Sequence, residues 1–104
     1  EDISISGVTL PALMQAFQKM IAERERQPQD VDPDDFSVQD QMKQILQVLR
    51  GKKEGLSFFA LFSPTAGMSE IIATFVALLE LVRVRKIVVW QPGPLRELLV
   101  MRKS

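Results

Sequence analysis

Met68-Ser-Glu-Ile-Ile-Ala-Thr-Phe-Val-Ala-Leu-Leu-Glu-Leu-Val-Arg-Val-Arg85 is the stretch on which the reading of the whole chain turns. Its ends carry helix signals. Ser69 is placed to cap the first turn, because a hydroxyl there accepts from an otherwise unpaired backbone N–H. Glu70 suits the positive end of the helix dipole, and Arg83, Arg85 and Lys86 suit the negative end. The middle is unusual. Between Ile71 and Val82 only Thr74 and Glu80 are polar, whereas a surface helix ordinarily keeps one apolar stripe and one polar face. Two apolar faces can be drawn on it. Ile71, Leu78 and Leu81 form one, assigned to the core. Ile72, Phe75, Leu79 and Val82 form the other, assigned either to a foreign protein or to cover by another element of the same chain.

Working outward, the flanking segments supply the remainder of a small domain. Downstream, Ile87-Val-Val-Trp-Gln91 is β-branched and aromatic, which predicts a strand. Pro92-Gly-Pro94 predicts a tight reversal, and Glu97 to Met101 a returning strand. Upstream, Ser63-Pro-Thr-Ala-Gly67 is a turn, and Ser57 is placed to cap a one- to two-turn helix over Phe58-Phe-Ala-Leu-Phe62. Leu56-Ser57 reads as a short extended segment. Before it, Ser37 caps a helix supported by Asp40 at the third helical position, with Val38, Met42, Ile45, Leu46 and Leu49 as its buried stripe. Gly51 is placed to stop that helix. The order is helix, short strand, helix, turn, helix, strand, wing, strand, which is an α+β winged helix. Gly51-Lys-Lys-Glu-Gly55 lacks P-loop spacing and no strand precedes it, so it is a polar turn.

An amphipathic helix precedes this unit. Thr9 caps it, Pro11 is tolerated in its first turn, and Leu10, Leu13, Met14, Phe17, Met20 and Ile21 follow the helical period to about Arg26. Glu1 to Gly7, with Ile3 and Ile5 between serines, reads as a tail or short strand. Gln27 to Asp35 holds two prolines and clustered aspartates and reads as an acidic linker. It lacks the central Gly and terminal Glu of a calcium loop. The expected division is 1–27 for tail and amphipathic helix, 28–36 for the linker and 37–104 for the winged helix.

Composition narrows the function. The chain has 104 residues, 46% of them hydrophobic, which suits one packed domain with an appendage rather than a disordered polymer. It has no cysteine and no histidine. Disulfides, thiolate chemistry, imidazole acid–base catalysis and the usual zinc sets are therefore removed together, and no enzyme, metal or other cofactor is expected. A reducing cytoplasm fits. No stretch offers the roughly 18 uncharged apolar residues of a membrane span. The formal net charge is zero, yet acidic residues dominate up to Asp40, while Arg83, Arg85, Lys86, Arg96, Arg102 and Lys103 dominate the end.

Most winged helices read DNA with the third helix, which then needs Arg, Lys, Asn, Gln or Ser outward. Here that helix would offer apolar side chains, Thr74 and the Glu80 carboxylate. It suits a protein groove better. Glu80 is expected to pair with a cation such as Arg83 rather than to act as a buried acid. Two rivals stay open: a DNA-binding regulator using Arg96, Arg102 and Lys103, and a module that pairs its spare face with a second copy.

The stretch Ala73-Thr-Phe-Val-Ala-Leu-Leu-Glu-Leu-Val-Arg83, a strand ending in Gln91, a proline turn and a short last strand together resemble the C-terminal region of segregation and condensation protein A (ScpA), the bacterial kleisin. The amphipathic helix, the acidic linker and Phe36-Ser-Val-Gln-Asp-Gln-Met42 extend the resemblance upstream. Leu95 and Arg96 depart from it, since the family has an aromatic and a Gly there. The resemblance implies a non-enzymatic subunit of a chromosome condensation and segregation complex, cytoplasmic and nucleoid-associated. Its winged helix would dock on the ATPase head of an SMC protein through the face holding Ile72, Phe75, Leu79 and Val82, with ATP hydrolysis left to the head. DNA would be held indirectly, through the complex. The companion protein ScpB binds the middle of such chains, and Leu13, Phe17, Met20 and Ile21 are candidates for touching it or for packing on the local domain.

Overall fold

The computed structural model describes residues 8–25, 36–93 and 96–103. Within them the chain runs α1 (Leu10–Glu25), α2 (Val38–Leu49), β1 (Leu56–Ser57), a 3-10 turn (Phe58–Leu61), α3 (Met68–Arg83), β2 (Ile87–Trp90) and β3 (Leu99–Arg102). This is the winged-helix order, with the middle helix of the trio shortened to four residues. The Ile3–Ile5 segment, the acidic linker up to Asp35, and Pro94 and Leu95 of the wing lie outside the described residues.

Local chemistry sets most boundaries. Thr9 Oγ1 accepts from the Ala12 N–H at 3.3 Å and opens α1. Ser37 Oγ does the same for Asp40 at 3.3 Å, and Ser57 Oγ for Phe59 at 3.3 Å. Each bond satisfies one of the orphan donors of a first turn. Gly51 follows the C-cap of α2 at φ +78°, the left-handed conformation that glycine adopts without a Cβ penalty.

Two ends differ from expectation. α3 starts at Met68 with Gly67 as its N-cap and no side-chain cap bond, so Ser69 lies inside the first turn and does not cap. The last strand is Leu99–Arg102 rather than Glu97–Met101, because pairing with β2 begins only where Leu99 meets Trp90.

The sheet has the order β1-β3-β2 and is antiparallel throughout. Val100 stands at its centre, opposite Val89 on one side and Leu56 on the other. Val89 and Val100 are fully buried, and they share one core with Leu13 and Met20 of α1, Ile45 and Leu49 of α2, Phe58 and Phe62, and Ile71, Leu78 and Leu81 of α3. α1 thus contributes to the same core as the winged helix. Gly55, at φ +84°, lets the α2–β1 turn press on β3. A Cβ there would lie 2.6 Å from Met101 Cγ and 2.7 Å from the Val100 carbonyl oxygen, and no larger residue fits that approach.

Candidate functional site

The faces of α3 sort themselves by what covers them. At about 100° per residue, Ile71, Thr74, Leu78 and Leu81 point into the core, and all four are buried. On the opposite side, Ile72, Val76, Leu79 and Arg83 form one stripe. Ile72 is 49% exposed and Val76 43% exposed, the two most open large apolar side chains among the described residues. Leu79 and Val82 are half-buried and pack on the margin of the core.

Phe75 is placed differently from the expectation that it stands free beside Ile72. It is only 5% exposed. Phe17 of α1 lies flat on it, with ring centroids 3.9 Å apart and planes 10° from parallel. Phe58 meets its edge at 6.2 Å. Of the two readings of this face, cover by the first helix holds at Phe75 and leaves Ile72 uncovered. The physical reason is angular: Phe75 lies some 60° around the helix from Ile72, on the flank that α1 reaches. Val76, on the open side of Ile72, takes the place in the exposed stripe that Phe75 was expected to fill. The four-residue step from Ile72 to Val76 was the signal for it.

The α1 candidates point inward. Leu13 and Met20 are buried in the core, and Phe17 and Ile21 pack against it, with Phe17 also tilted on Phe62 at 6.3 Å. Leu13 and Met20 are closed off within this chain, while Phe17 and Ile21 stay half-buried.

Thr74 also departs from expectation. Read as part of an outer face, it is 3% exposed. Its hydroxyl lies 2.7 Å from the Glu70 carbonyl oxygen and 3.1 Å from the Gln41 side-chain amide. The single hydroxyl proton serves the Glu70 carbonyl, the shorter contact, and Gln41 Oε1 stands beside the same hydroxyl at 3.1 Å. That contact joins α3 to α2. The two stretches that carry the family resemblance therefore meet across 33 residues of sequence.

Charge at the end of α3 is arranged as expected. Arg83 Nε donates to Glu80 Oε1 at 3.0 Å, and the second guanidinium nitrogen donates to Oε2. The Arg83 hydrogen bond holds the Glu80 carboxyl below the ordinary carboxylate range and raises Arg83. Because the folded-state pKa of Glu80 is depressed, its contribution is present above the unfolded value of about 4.5 and fades as pH falls through the folded value. With Arg83 engaged, the outer stripe has no free cation or amide to aim at base edges, and a groove reader needs them. Gln91, the other residue on which the resemblance rests, donates from Nε2 to the Arg96 carbonyl at 2.7 Å and braces the wing. Arg96 itself is exposed.

Among the described residues no group of His, Cys, Asp or Glu is arranged to hold a metal ion, and no helix is long and apolar enough to cross a membrane. Fold and surface together define a winged-helix domain with an apolar outer stripe on α3. The family model for segregation and condensation protein ScpA matches residues 2–102, and the chain belongs to that family. The segregation and condensation protein A of Brevibacillus brevis is 36% identical over 89 residues, covering 84% of this chain and 35% of the relative. That of Lactiplantibacillus plantarum is 32% identical over 93 residues, covering 86% and 36%. That of Clostridium acetobutylicum is 27% identical over 92 residues, covering 88% and 36%. The chain thus spans little more than a third of these relatives. No solved structure matches it.

Proposed function

We propose that this chain is the C-terminal part of a kleisin and that its winged helix docks on the ATPase head of an SMC protein through the outer stripe of α3. The observation that carries the reading is the pair Ile72 and Val76, open to solvent in the middle of a helix whose other sides are closed. Single exposed apolar residues are ordinary on a protein surface. Two on one helical stripe, continued by half-buried Leu79 and bordered by half-buried Val82, match the i, i+4, i+7 anchors of a helix that fills a partner's groove. Central anchors of this kind contribute about 2 kcal/mol each when desolvated. Phe75 acts from beneath, stacked on Phe17, and fixes the stripe in place rather than touching the partner.

In this reading the chain does no chemistry. Joining two heads through one kleisin raises their effective concentration and closes a compartment for DNA, which serves chromosome segregation and condensation during the cell cycle, in the cytoplasm at the nucleoid. We assign Leu13, Phe17, Met20 and Ile21 to the fold and not to ScpB, since Leu13 and Met20 are buried in the chain's own core and Phe17 and Ile21 pack against it. A pull-down of the 104-residue chain by an SMC head tests the proposal. Ile72→Arg and Val76→Arg are expected to lose the head while melting like the unmodified chain. Retention of the head by both variants would overturn it.

A further inference from the structure

A second surface lies apart from α3. The turn after α2 and the end of β3 enclose an open groove of about 380 Å³, lined by Leu49, Arg50, Gly51, Lys52, Lys53, Met101, Arg102 and Lys103. Five of these eight residues are cationic, all five are exposed, and among the described residues no carboxylate lines the groove. The frame beneath them is fixed. Arg50 N donates to Gln47 O, Lys52 N to Leu49 O and Gly55 N to Lys52 O, at 3.0 to 3.2 Å. Gly55 seats the turn against Val100 and Met101. On the far side Lys103 N donates to Lys86 O at 2.9 Å, which sets another exposed cation beside the groove. Arg102 has a structural task, since it donates to the Leu46 carbonyl at 3.5 Å at the end of α2. Among the described residues, Arg50, Lys52, Lys53 and Lys103 make no ion pair.

We infer that this groove holds the phosphate backbone of duplex DNA, independently of sequence. Net charge does not produce the attraction, because the chain is neutral overall. A local cluster produces it, since charges beyond about 8 Å are screened at physiological ionic strength. Three features select the ligand. An acidic protein would need apolar anchors to gain affinity, and here Leu49 is fully buried and Met101 half-buried. Single strands are held by stacking bases on aromatic rings, and no ring lines the groove. Base readout needs side chains bidentate to base edges in a groove, and flexible lysines on a turn serve as point charges instead. What remains is neutralisation of phosphates with release of counterions. Sequence alone had grouped Arg102 and Lys103 with Arg96. The structure groups them instead with the turn between Gly51 and Gly55.

The experiment is an anisotropy titration of the 104-residue chain with a labelled 30-base-pair duplex, from about 25 to 200 mM salt. With four free cations engaged, log affinity is expected to fall against log salt with a slope near −3.6, roughly a hundredfold loss between 50 and 200 mM. Lys52→Glu/Lys53→Glu is expected to weaken binding at least tenfold at 50 mM and to flatten the slope by about 2. Arg96→Glu, on the wing, and Ile72→Arg, on α3, are each expected to stay within about twofold of the unmodified chain, as is a duplex of unrelated sequence. The Ile72 control separates this inference from the docking of α3. Should the double reversal fail to fold, Arg50→Gln/Lys103→Gln removes two of the four charges and gives the same reading. No binding at 25 mM salt, a Lys52/Lys53 variant that titrates like the unmodified chain, or an equal loss with Arg96→Glu would each overturn the inference.

Discussion

Phe75 and Ile72 stand three residues apart on the same helix, both large and apolar, and they meet opposite fates. Phe75 is sealed between Phe17 and Phe58, while half of Ile72 faces water. The difference does not come from α3 itself. It comes from α1, which is long enough to lay one aromatic ring on the flank of α3 and leaves the outer stripe bare. An appendage in front of a winged helix thus decides which part of an over-apolar helix is core and which part is surface. Burial here is a property of the pair of helices.

The largest predicted effect breaks the covered side of that comparison. Phe75→Ala removes a ring from a closed contact and is expected to cost about 3 kcal/mol or more of unfolding free energy, measured by urea titration. Phe17→Ala is expected to cost less, because Phe17 is only partly buried. A double-mutant cycle between the two should give a coupling of about 1 kcal/mol, the mark of a stacked pair. Additivity would mean that the rings do not act together. The next effect tests how α3 is fastened on its inner side. Thr74→Val keeps the shape and deletes the hydroxyl between Glu70 and Gln41, with an expected cost of about 1 kcal/mol.

On the open side, Ile72→Arg is expected to change stability by no more than about 0.5 kcal/mol, the usual range for exposed positions. A much larger loss would show that Ile72 belongs with Phe75 after all. An effect of similar size and opposite direction lies at the end of the helix. Val84, Arg85 and Lys86 close α3 with a Schellman motif: Lys86 N donates to Leu81 O at 2.9 Å and Arg85 N to Val82 O at 3.0 Å. Arg85 holds the left-handed position at φ 64°, where glycine is the favoured residue. Arg85→Gly is expected to stabilise the chain by about 0.5 kcal/mol, the backbone gain being partly offset by the lost cation at the negative end of the dipole. A rise of a few degrees in melting temperature would register it.

How far the sequence could be read follows from where each feature gets its cause. Thr9, Ser37, Ser57 and Gly51 act within a few residues of themselves, and each was legible. The winged-helix order was legible for the same reason, since every element carries its own period and its own punctuation. The Glu80–Arg83 pair, one turn apart on a helix, belongs with these. Features caused by distant partners were not legible. Thr74 looks exposed as a polar residue on a wheel, and only the carbonyl four residues back and Gln41 from another helix make its burial tolerable. Ser69 looks like a cap, yet the helix already begins one residue earlier, after Gly67. Phe75 looks like an anchor until Phe17 is placed on it. The basic groove is the extreme case, because the Gly51–Gly55 turn and the end of β3 are fifty residues apart and nothing local announces that they meet.

The central claim is that the outer stripe of α3 receives the SMC head. Methyl resonances of the 104-residue chain, followed as an unlabelled head is added, test it most directly. The account predicts that the methyls of Ile72, Val76 and Leu79 shift and broaden while those of Ile71 and Leu78 stay where they are. A footprint that misses Ile72 and Val76 and falls elsewhere on the chain would contradict it.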